Sequence, residues 1–176
     1  TGIGPGLFFA KSLTEMIDDQ NDESNVNVNL IPCAKRASTL DDWEPNAGTG
    51  YYENMMDRIR KSEKNVNLFV WWQGEQDGLE QVNAEKYGAQ FQTFVEVIRQ
   101  ELDDPDLPFL VVKPLGQKMK YPYIETVVDQ VEEAVKNIDN ANLVDLDLDT
   151  TICVDVDTPT SKVGLRGDCV HLTLPA

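Results

Sequence analysis

Basic residues are scarce in this chain, and long apolar runs are missing. The 176 residues include 15 Lys and Arg but 31 Asp and Glu, which gives a formal charge of −16. A surface of this sign repels phosphate backbones, so the composition argues against a nucleic-acid partner and fits a small neutral or cationic ligand better. No run is long enough to predict a membrane span, and no signal-like segment is visible. Secretion and a cytoplasmic location both stay open.

Cysteine and histidine are also rare, which limits the metal chemistry that the chain can support. The three cysteines form no C-x-x-C pair, so we expect no structural zinc site and no other metal site. The acid-rich stretch 145–158 lacks the ligand spacing and the glycine of a calcium loop, and we interpret it as a solvated strand face. Cys153 and Cys169 lie in the same late region, and whether they pair stays open.

The chain does have an ordinary hydrophobic content and enough length for one domain with a sizeable core. Apolar residues recur at helical spacing in some segments and in strand-like runs in others, and the two kinds alternate along the chain. The predicted order is helix 5–17, strand 25–31, helix 52–59, strand 67–72, helix 80–102, strand 109–113, helix 124–138 and strand 142–149. This order predicts a single α/β domain over 1–176 with a parallel sheet, whose two alternating strands lie at the edges.

A cluster of polar residues follows the apolar strand 67–72. Ligands of parallel sheets collect at the carboxyl ends of the strands, so this cluster is a candidate site. Asp77 and Glu80 could simply open the next helix, where acids suit the helix dipole. Gln73 is harder to explain as a structural residue, because an amide between tryptophan and glycine at a strand end can donate a hydrogen bond into a cleft. We therefore favour a functional role for Gln73.

The second candidate site contains the only histidine of the chain. Asp168 precedes His171 by three residues, and on a loop or a helical turn this spacing lets the carboxylate reach the imidazole Nδ1. The acid would then fix the tautomer, and Nε2 could act as a general base. A lone histidine is equally compatible with a structural role, and the spacing alone leaves both interpretations open.

Five segments together resemble the sialate O-acetylesterase and acetylxylan esterase group of SGNH hydrolases, known as carbohydrate esterase family six. They are "GIGPGLFFA", "LIPCAKRASTLDDW", "WWQGEQD", "LPFLVV" and "DCVHLT". The likeness runs through the whole chain, and the QGE and D-x-x-HLT blocks carry most of its specificity. The resemblance implies a three-layer α/β/α sandwich with a flavodoxin-like parallel sheet. It also implies a hydrolase that removes acetyl groups from sugars and needs no metal or organic cofactor.

Carried over by position, the resemblance assigns roles to several residues. His171 would be the general base, and Asp168 would orient it. Gln73 would donate to the acyl oxygen as charge develops there. Glu75, Trp43 and Arg36 would support the site or bind substrate rather than react.

Two departures from the family pattern concern the nucleophile and the oxyanion loop. The family's nucleophilic serine belongs to a block upstream of "GIGPG", so we expect it outside this chain. Ser38 is the best local candidate, but it aligns with a turn residue of the family. The family's Gly-Gly pair falls on Arg36 and Ala37, where Ala37 keeps a backbone N–H for the oxyanion but resists positive φ. These replacements leave open a rival interpretation, in which the domain is a non-catalytic binding or structural module.

The resemblance also implies that the first strand of the sheet is missing from this chain. That strand would lie between strands 25–31 and 67–72 and would leave a slot one strand wide. Unpaired backbone groups there would cost about 1–3 kcal/mol for each buried group. We therefore expect that an upstream segment or a second polypeptide completes the sheet, and that residues 1–176 do not fold as a self-sufficient unit.

Overall fold

The computed structural model describes residues 6–18, 28–63, 65–116 and 118–146, together with the backbone of three short strands further on. The helices are α1 (Gly6–Asp18), α2 (Tyr51–Lys61), α3 (Gln81–Glu101) and α4 (Ile124–Lys136). The strands of the main body are β1 (Phe69–Trp71), β2 (Phe109–Val112) and β3 (Ala141–Val144). The four predicted helices are therefore confirmed, and so are the three later strands.

The three strands form one parallel sheet in the order β1-β2-β3. Phe69 pairs with Phe109, which in turn pairs with Ala141, so the strands begin in register. α3 joins β1 to β2 and α4 joins β2 to β3, as parallel neighbours require. All three carboxyl ends consequently lie at the same edge of the sheet, which is where a ligand site is expected.

The core forms where α3 and α4 pack together against the sheet. Tyr87 and Phe91 of α3 and Val127 and Val131 of α4 are completely buried. Gly88 lets the two helices approach closely, because a Cβ built there would lie 2.8 Å from the backbone oxygen of Gln130. The close approach at Gly88 packs α3 directly against α4.

The predicted strand over 25–31 is wrong for residues 28–31, which the structure describes as irregular. Residues 25–27 lie outside the described part. The alternation predicted a buried face, but Leu30 is 40% exposed. A strand needs a hydrogen-bonded neighbour, and none pairs with this segment in the described part of the chain. β1 is at an edge of the described sheet, on the side where we expected the missing first strand to leave a slot, and its Val70 is 45% exposed.

The late part of the chain contains a second small sheet, and only its first strand falls within the stretch 145–158 that we interpreted as a strand face. It consists of β4 (Cys153–Val154), β5 (Gly164–Arg166) and β6 (Leu172–Thr173). β4 and β5 are parallel, whereas β5 and β6 are antiparallel. Strands this short carry little periodicity, so their pattern was not visible in the sequence. Cys169 and the Cys153 side chain lie outside the described residues, as does the predicted strand beyond Leu146.

Candidate functional site

The turn that leaves β1 depends on two glycines. Gly74 has φ of +140°, and a Cβ there would lie 3.0 Å from Val127 Cγ1 and 3.1 Å from Pro114. A Cβ on Gly78 would lie 3.1 Å from the Cα of Ile124. The turn is therefore pressed against the start of α4, and this packing directs the polar side chains of the turn inward.

Gln73 lies at the centre of this turn and its side-chain amide is fully engaged. Its Nε2 donates to the backbone oxygen of Ser38 at 2.8 Å and to Asp77 Oδ2 at 2.6 Å. Its Oε1 accepts a hydrogen bond from the Tyr87 hydroxyl at 2.9 Å. The amide thus joins three segments: the end of β1, the loop around Ser38, and α3.

The neighbours of Gln73 allow only one orientation of the amide. Reversing it would turn Oε1 toward the Ser38 carbonyl and the Asp77 carboxylate, neither of which can donate when Asp77 is ionised. The Tyr87 hydroxyl also accepts from Trp71 Nε1 at 3.1 Å, and burial raises the pKa of Tyr87, so this tyrosine is a neutral donor. The two N–H groups of Gln73 therefore point toward Ser38 and Asp77.

From the sequence we interpreted Asp77 as an acid that could simply open the next helix, and its environment in the structure differs from that interpretation. It is 1% exposed, whereas an acid that merely opens a helix would be solvated. Besides the Gln73 bond, it accepts from the backbone N–H of Leu40, at 3.1 Å to Oδ1 and 3.2 Å to Oδ2. Burial raises its pKa to about 6, although the bonds from Gln73 and Leu40 act in the opposite direction. The available signal was its spacing of four residues from Gln73.

The loop that carries Ala37 packs beside this network. Ala37 has φ of +53°, so it occupies the left-handed region that suits the glycine expected at this position. Arg36 is exposed. Ser38 is 4% exposed, and its hydroxyl donates to Lys35 O at 3.1 Å and accepts from Trp43 Nε1 at 2.9 Å. Within the described residues, no acid or base contacts this hydroxyl.

Trp43 holds the loop against the core. It ends a 3-10 turn, Asp41–Trp43, and its ring meets Trp71 edge-on at 5.8 Å between centroids. Asp41 of the same turn accepts from Lys86 Nζ at 2.5 Å and from Gln90. Burial raises the pKa of Asp41, but the hydrogen bonds from Lys86 and Gln90 outweigh it and leave the pKa below its usual value. The loop is thereby fastened to α3.

Glu75 faces a different part of the sheet edge. Its Oε1 accepts from the backbone N–H of Leu115 at 3.1 Å, which joins the segments that follow β1 and β2. A surface groove of about 450 Å³ beside Val135, Ile138 and Ala141 lies at the other end of the sheet, away from Gln73.

The structure thus brings together Gln73, Asp77 and the loop containing Ala37, Ser38 and Trp43. His171 and Asp168 lie outside the described residues. Among the described side chains, no group of three or more His, Cys, Asp or Glu residues is placed to hold a metal ion. In the same part of the chain, no helix combines the length and the apolar character needed to cross a membrane.

Comparisons with known proteins relate this arrangement to carbohydrate esterases. A family profile described as "Carbohydrate esterase, sialic acid-specific acetylesterase" matches residues 1–176. A protein of Arabidopsis thaliana named as a probable carbohydrate esterase is 29% identical over 178 residues, which cover 99% of this chain and 59% of that protein.

Solved structures agree in fold. The X-ray structure of an Arabidopsis thaliana protein has a TM-score of 0.66 at 28% identity, covering 82% of this chain and 56% of that one. The crystal structure of a carbohydrate acetylesterase from Xanthomonas citri has a TM-score of 0.66 at 21% identity, covering 80% of this chain and 33% of that one.

The mixed α/β fold with its open parallel sheet is that of SGNH-type carbohydrate esterases, as the resemblance implied. The chain belongs to the family of sialic acid-specific acetylesterases among the carbohydrate esterases. It spans 59% of the curated Arabidopsis relative and 56% of the solved Arabidopsis structure.

Proposed function

We propose that the protein containing this chain is a carbohydrate O-acetylesterase that removes acetyl groups from sugars. One observation carries the proposal: the Gln73 amide is bonded to the Ser38 carbonyl, directly beside Ala37 in its left-handed conformation. A side-chain N–H and a backbone N–H are thereby held in adjacent segments at the carboxyl edge of the sheet. Two such donors suit the oxygen of an acyl group that becomes negatively charged during ester hydrolysis.

The mechanism that we propose is acyl transfer to serine followed by hydrolysis. The serine hydroxyl, supplied by a segment outside this chain, attacks the acetyl carbonyl carbon while His171 accepts its proton. Asp168 holds the imidazole in the required tautomer. The sugar leaves as an alcohol after His171 returns the proton, and water activated by the same histidine then releases acetate. No metal or organic cofactor takes part in this scheme.

Gln73 can serve the oxyanion only by exchanging a partner, because both of its N–H groups are engaged. The bond to Asp77 is the shorter, at 2.6 Å, and involves a carboxylate. The bond to the Ser38 carbonyl is longer, at 2.8 Å, and its acceptor is neutral. Hydrogen bonds to charged groups are stronger than neutral ones, so we propose that the acyl oxygen displaces Ser38 O and leaves the Asp77 bond intact.

Ser38 does not suit the role of nucleophile. Its hydroxyl is buried, donates a hydrogen bond to Lys35 O and accepts one from Trp43 Nε1. In the described part of the chain, no base contacts it. We interpret its hydroxyl as a structural link that fixes the tryptophan and the loop.

The rival hypothesis of an inactive module rests on Arg36 and Ala37. The backbone of Ala37 argues against this rival hypothesis, because Ala37 adopts the positive φ expected of the family's glycine at this position. The N–H of Ala37 therefore remains available in the required kind of turn, and the exposed Arg36 side chain has room to point into solvent.

Acetate release from acetylated sugars by the intact protein tests the proposal. We expect His171→Ala to abolish turnover and Gln73→Ala to lower kcat by roughly 10²–10³-fold, the usual loss for one oxyanion donor. Gln100→Ala, on the exposed face of α3, is the matched control and should leave kcat unchanged. A wild-type protein without acetylesterase activity would support the inactive module instead.

A fluorophosphonate probe locates the nucleophile in the same protein. We expect mass spectrometry to find the label on a serine outside residues 1–176. A label on Ser38 would contradict our interpretation of its buried hydroxyl.

A further inference from the structure

The Asp77 carboxylate is the meeting point of the two segments that supply the proposed oxyanion donors. Its Oδ2 binds the Gln73 amide at 2.6 Å, and both of its oxygens receive the N–H of Leu40, at 3.1 and 3.2 Å. Leu40 follows Ala37 by three residues on the same loop. One carboxylate therefore holds the end of β1 and the Ala37 loop in a fixed relation.

The bond from Gln73 to Asp77 decides where the other N–H of Gln73 points. The two N–H bonds of an amide lie in one plane at a fixed angle, so anchoring one of them sets the direction of the second. That second N–H is the one which now contacts Ser38 O. Without an acceptor at Asp77, the amide would keep the bonds to Ser38 O and Tyr87. Once the acyl oxygen displaces Ser38 O, as we propose, only the Tyr87 bond at Oε1 would hold the amide, which could rotate about it.

The hydrogen bond from the Leu40 N–H to Asp77 positions the other proposed donor, the backbone N–H of Ala37, because Leu40 and Ala37 lie on the same loop. Ser38 and Leu40 lie on either side of Thr39, and the Ser38 carbonyl and the Leu40 N–H both face the same turn after β1. Asp77 is 1% exposed, so water does not compete for these bonds. A buried carboxylate with two donors from two segments is a rigid link.

We infer that Asp77 is a positioning residue for the acyl-oxygen site, which it builds by orienting the Gln73 amide and anchoring the Ala37 loop. This inference rests on the proposed esterase function. Asp77 touches no reacting atom in this scheme and acts only through its two partners. Removing its charge should therefore affect transition-state stabilisation more than substrate binding.

Steady-state kinetics of acetate release by the intact protein test this role. We expect Asp77→Asn to lower kcat by about 10–100-fold with KM within 3-fold of the wild type, because oriented donors act mainly in the transition state. Asp42→Asn is the matched control. Asp42 is a carboxylate of the same loop that accepts from Thr39 N and Oγ1 and does not contact Gln73, so kcat should change by less than 3-fold.

A double-mutant cycle separates positioning from a general loss of structure. If Asp77 acts through Gln73, Asp77→Asn should add little to the loss already caused by Gln73→Ala. Fully additive losses would overturn the inference, and so would an Asp77→Asn variant that keeps the wild-type kcat. A wild-type protein without activity would overturn the proposed function and this role with it. If the wild-type protein is active, the proposed function stands and the kinetics of the variants decide the role of Asp77 alone.

A spectroscopic measurement on the wild-type protein covers the case in which Asp77→Asn does not fold. The Gln73 side-chain amide resonances should titrate together with the Asp77 carboxyl carbon. Within the described part of the chain, the ionisable groups facing Asp77 are Asp41 on the 3-10 turn and Tyr87 on α3. The pKa of Asp41 lies below its usual value and the pKa of Tyr87 lies above its usual value. Neither group would therefore titrate at the midpoint of Asp77. Gln73 resonances that do not follow Asp77 would overturn the inference.

Discussion

At the scale of the residue, burial changes what an acid can do. Glu80 is exposed at the start of α3, where it makes no capping hydrogen bond with its side chain, whereas Asp77 three residues earlier is 1% exposed. The two acids look alike in the sequence, yet only Asp77 holds backbone and side-chain donors. The difference arises from the glycine turn, which directs Asp77 inward.

Asp77 should make the stability of the protein depend on pH. Its folded pKa of about 6 lies above its ordinary value of 3.8, so between these values the folded state holds a proton that the unfolded state has lost. Its contribution is present below the ordinary pKa and is lost as the pH rises through about 6. The loss should be about 3 kcal/mol, at 1.36 kcal/mol per pKa unit.

Urea unfolding from pH 4 to pH 7 measures this effect. The free energy of unfolding of the intact wild-type protein minus that of Asp77→Asn should fall by about 2.5 kcal/mol across this range, because every other group cancels in the difference. A difference that does not vary with pH would show that Asp77 has an ordinary pKa.

Ala37 carries backbone strain that glycine would relieve. A non-glycine residue at φ of +53° costs about 1–2 kcal/mol, while glycine adds about 0.4–1 kcal/mol of unfolded-state entropy. We expect Ala37→Gly to raise the free energy of unfolding by roughly 0.5–1 kcal/mol, measured by urea unfolding. Ala34→Gly, on the same exposed loop without a positive φ, should lower it by a similar amount. If both variants lose stability equally, the left-handed conformation of Ala37 is not strained.

At the scale of the element, close packing of α3 and α4 positions the turn after β1. The backbone N–H of Tyr123 donates to Gly78 O at 2.9 Å, and Gly78 itself lies against Ile124. Tyr87 contributes to both the helix packing and the Gln73 network. Substitutions at the interface between α3 and α4 should therefore also shift the turn that carries Gln73 and Asp77.

Gly88→Ala tests this packing. Its new Cβ would lie 2.8 Å from the Gln130 backbone oxygen, so the helices must separate. Overpacking of this kind costs about 1–3 kcal/mol and should outweigh the gain in helix propensity of about 1 kcal/mol. Thermal unfolding should show a lower Tm. Ala89→Gly, on the exposed side of the same turn, measures the propensity contribution alone, and a higher Tm for Gly88→Ala would show that the helices have room to spare.

At the scale of the whole molecule, β1 presents an edge with no neighbour among the described strands. The N–H of Phe69 donates to Pro108 O at 2.9 Å, toward β2, so the next N–H, that of Val70, points to the opposite side. Val70 is 45% exposed. Exposed edges of this kind invite pairing with another strand.

Amide hydrogen exchange tests whether another strand covers this edge. In the intact protein, we expect a neighbouring strand to slow the exchange of the Val70 amide to a rate similar to that of the Trp71 amide, which faces β2. Rapid exchange of Val70 beside a protected Trp71 would mean that the edge stays open. Protection of Val70 that appears only at high protein concentration would indicate a second copy instead.

The sequence by itself determined the helices, the strands β1 to β3 and the family. The helices follow from apolar residues at a period of 3.6, and β2 from a short apolar run, because these patterns are local. The place of Gln73 directly after an apolar strand was also visible, whereas its role in catalysis stays a prediction.

Only the tertiary structure decided which segments pair and which polar atoms are buried together. Residues 28–31 alternate like a strand but have no described partner, because pairing depends on a second segment far away in the sequence. Asp77 connects the end of β1 with the Ala37 loop because the turn at Gly74 and the loop at Leu40 enclose its carboxylate. Burial and hydrogen bonding are properties of the assembled neighbours, so no local pattern in the chain could encode them.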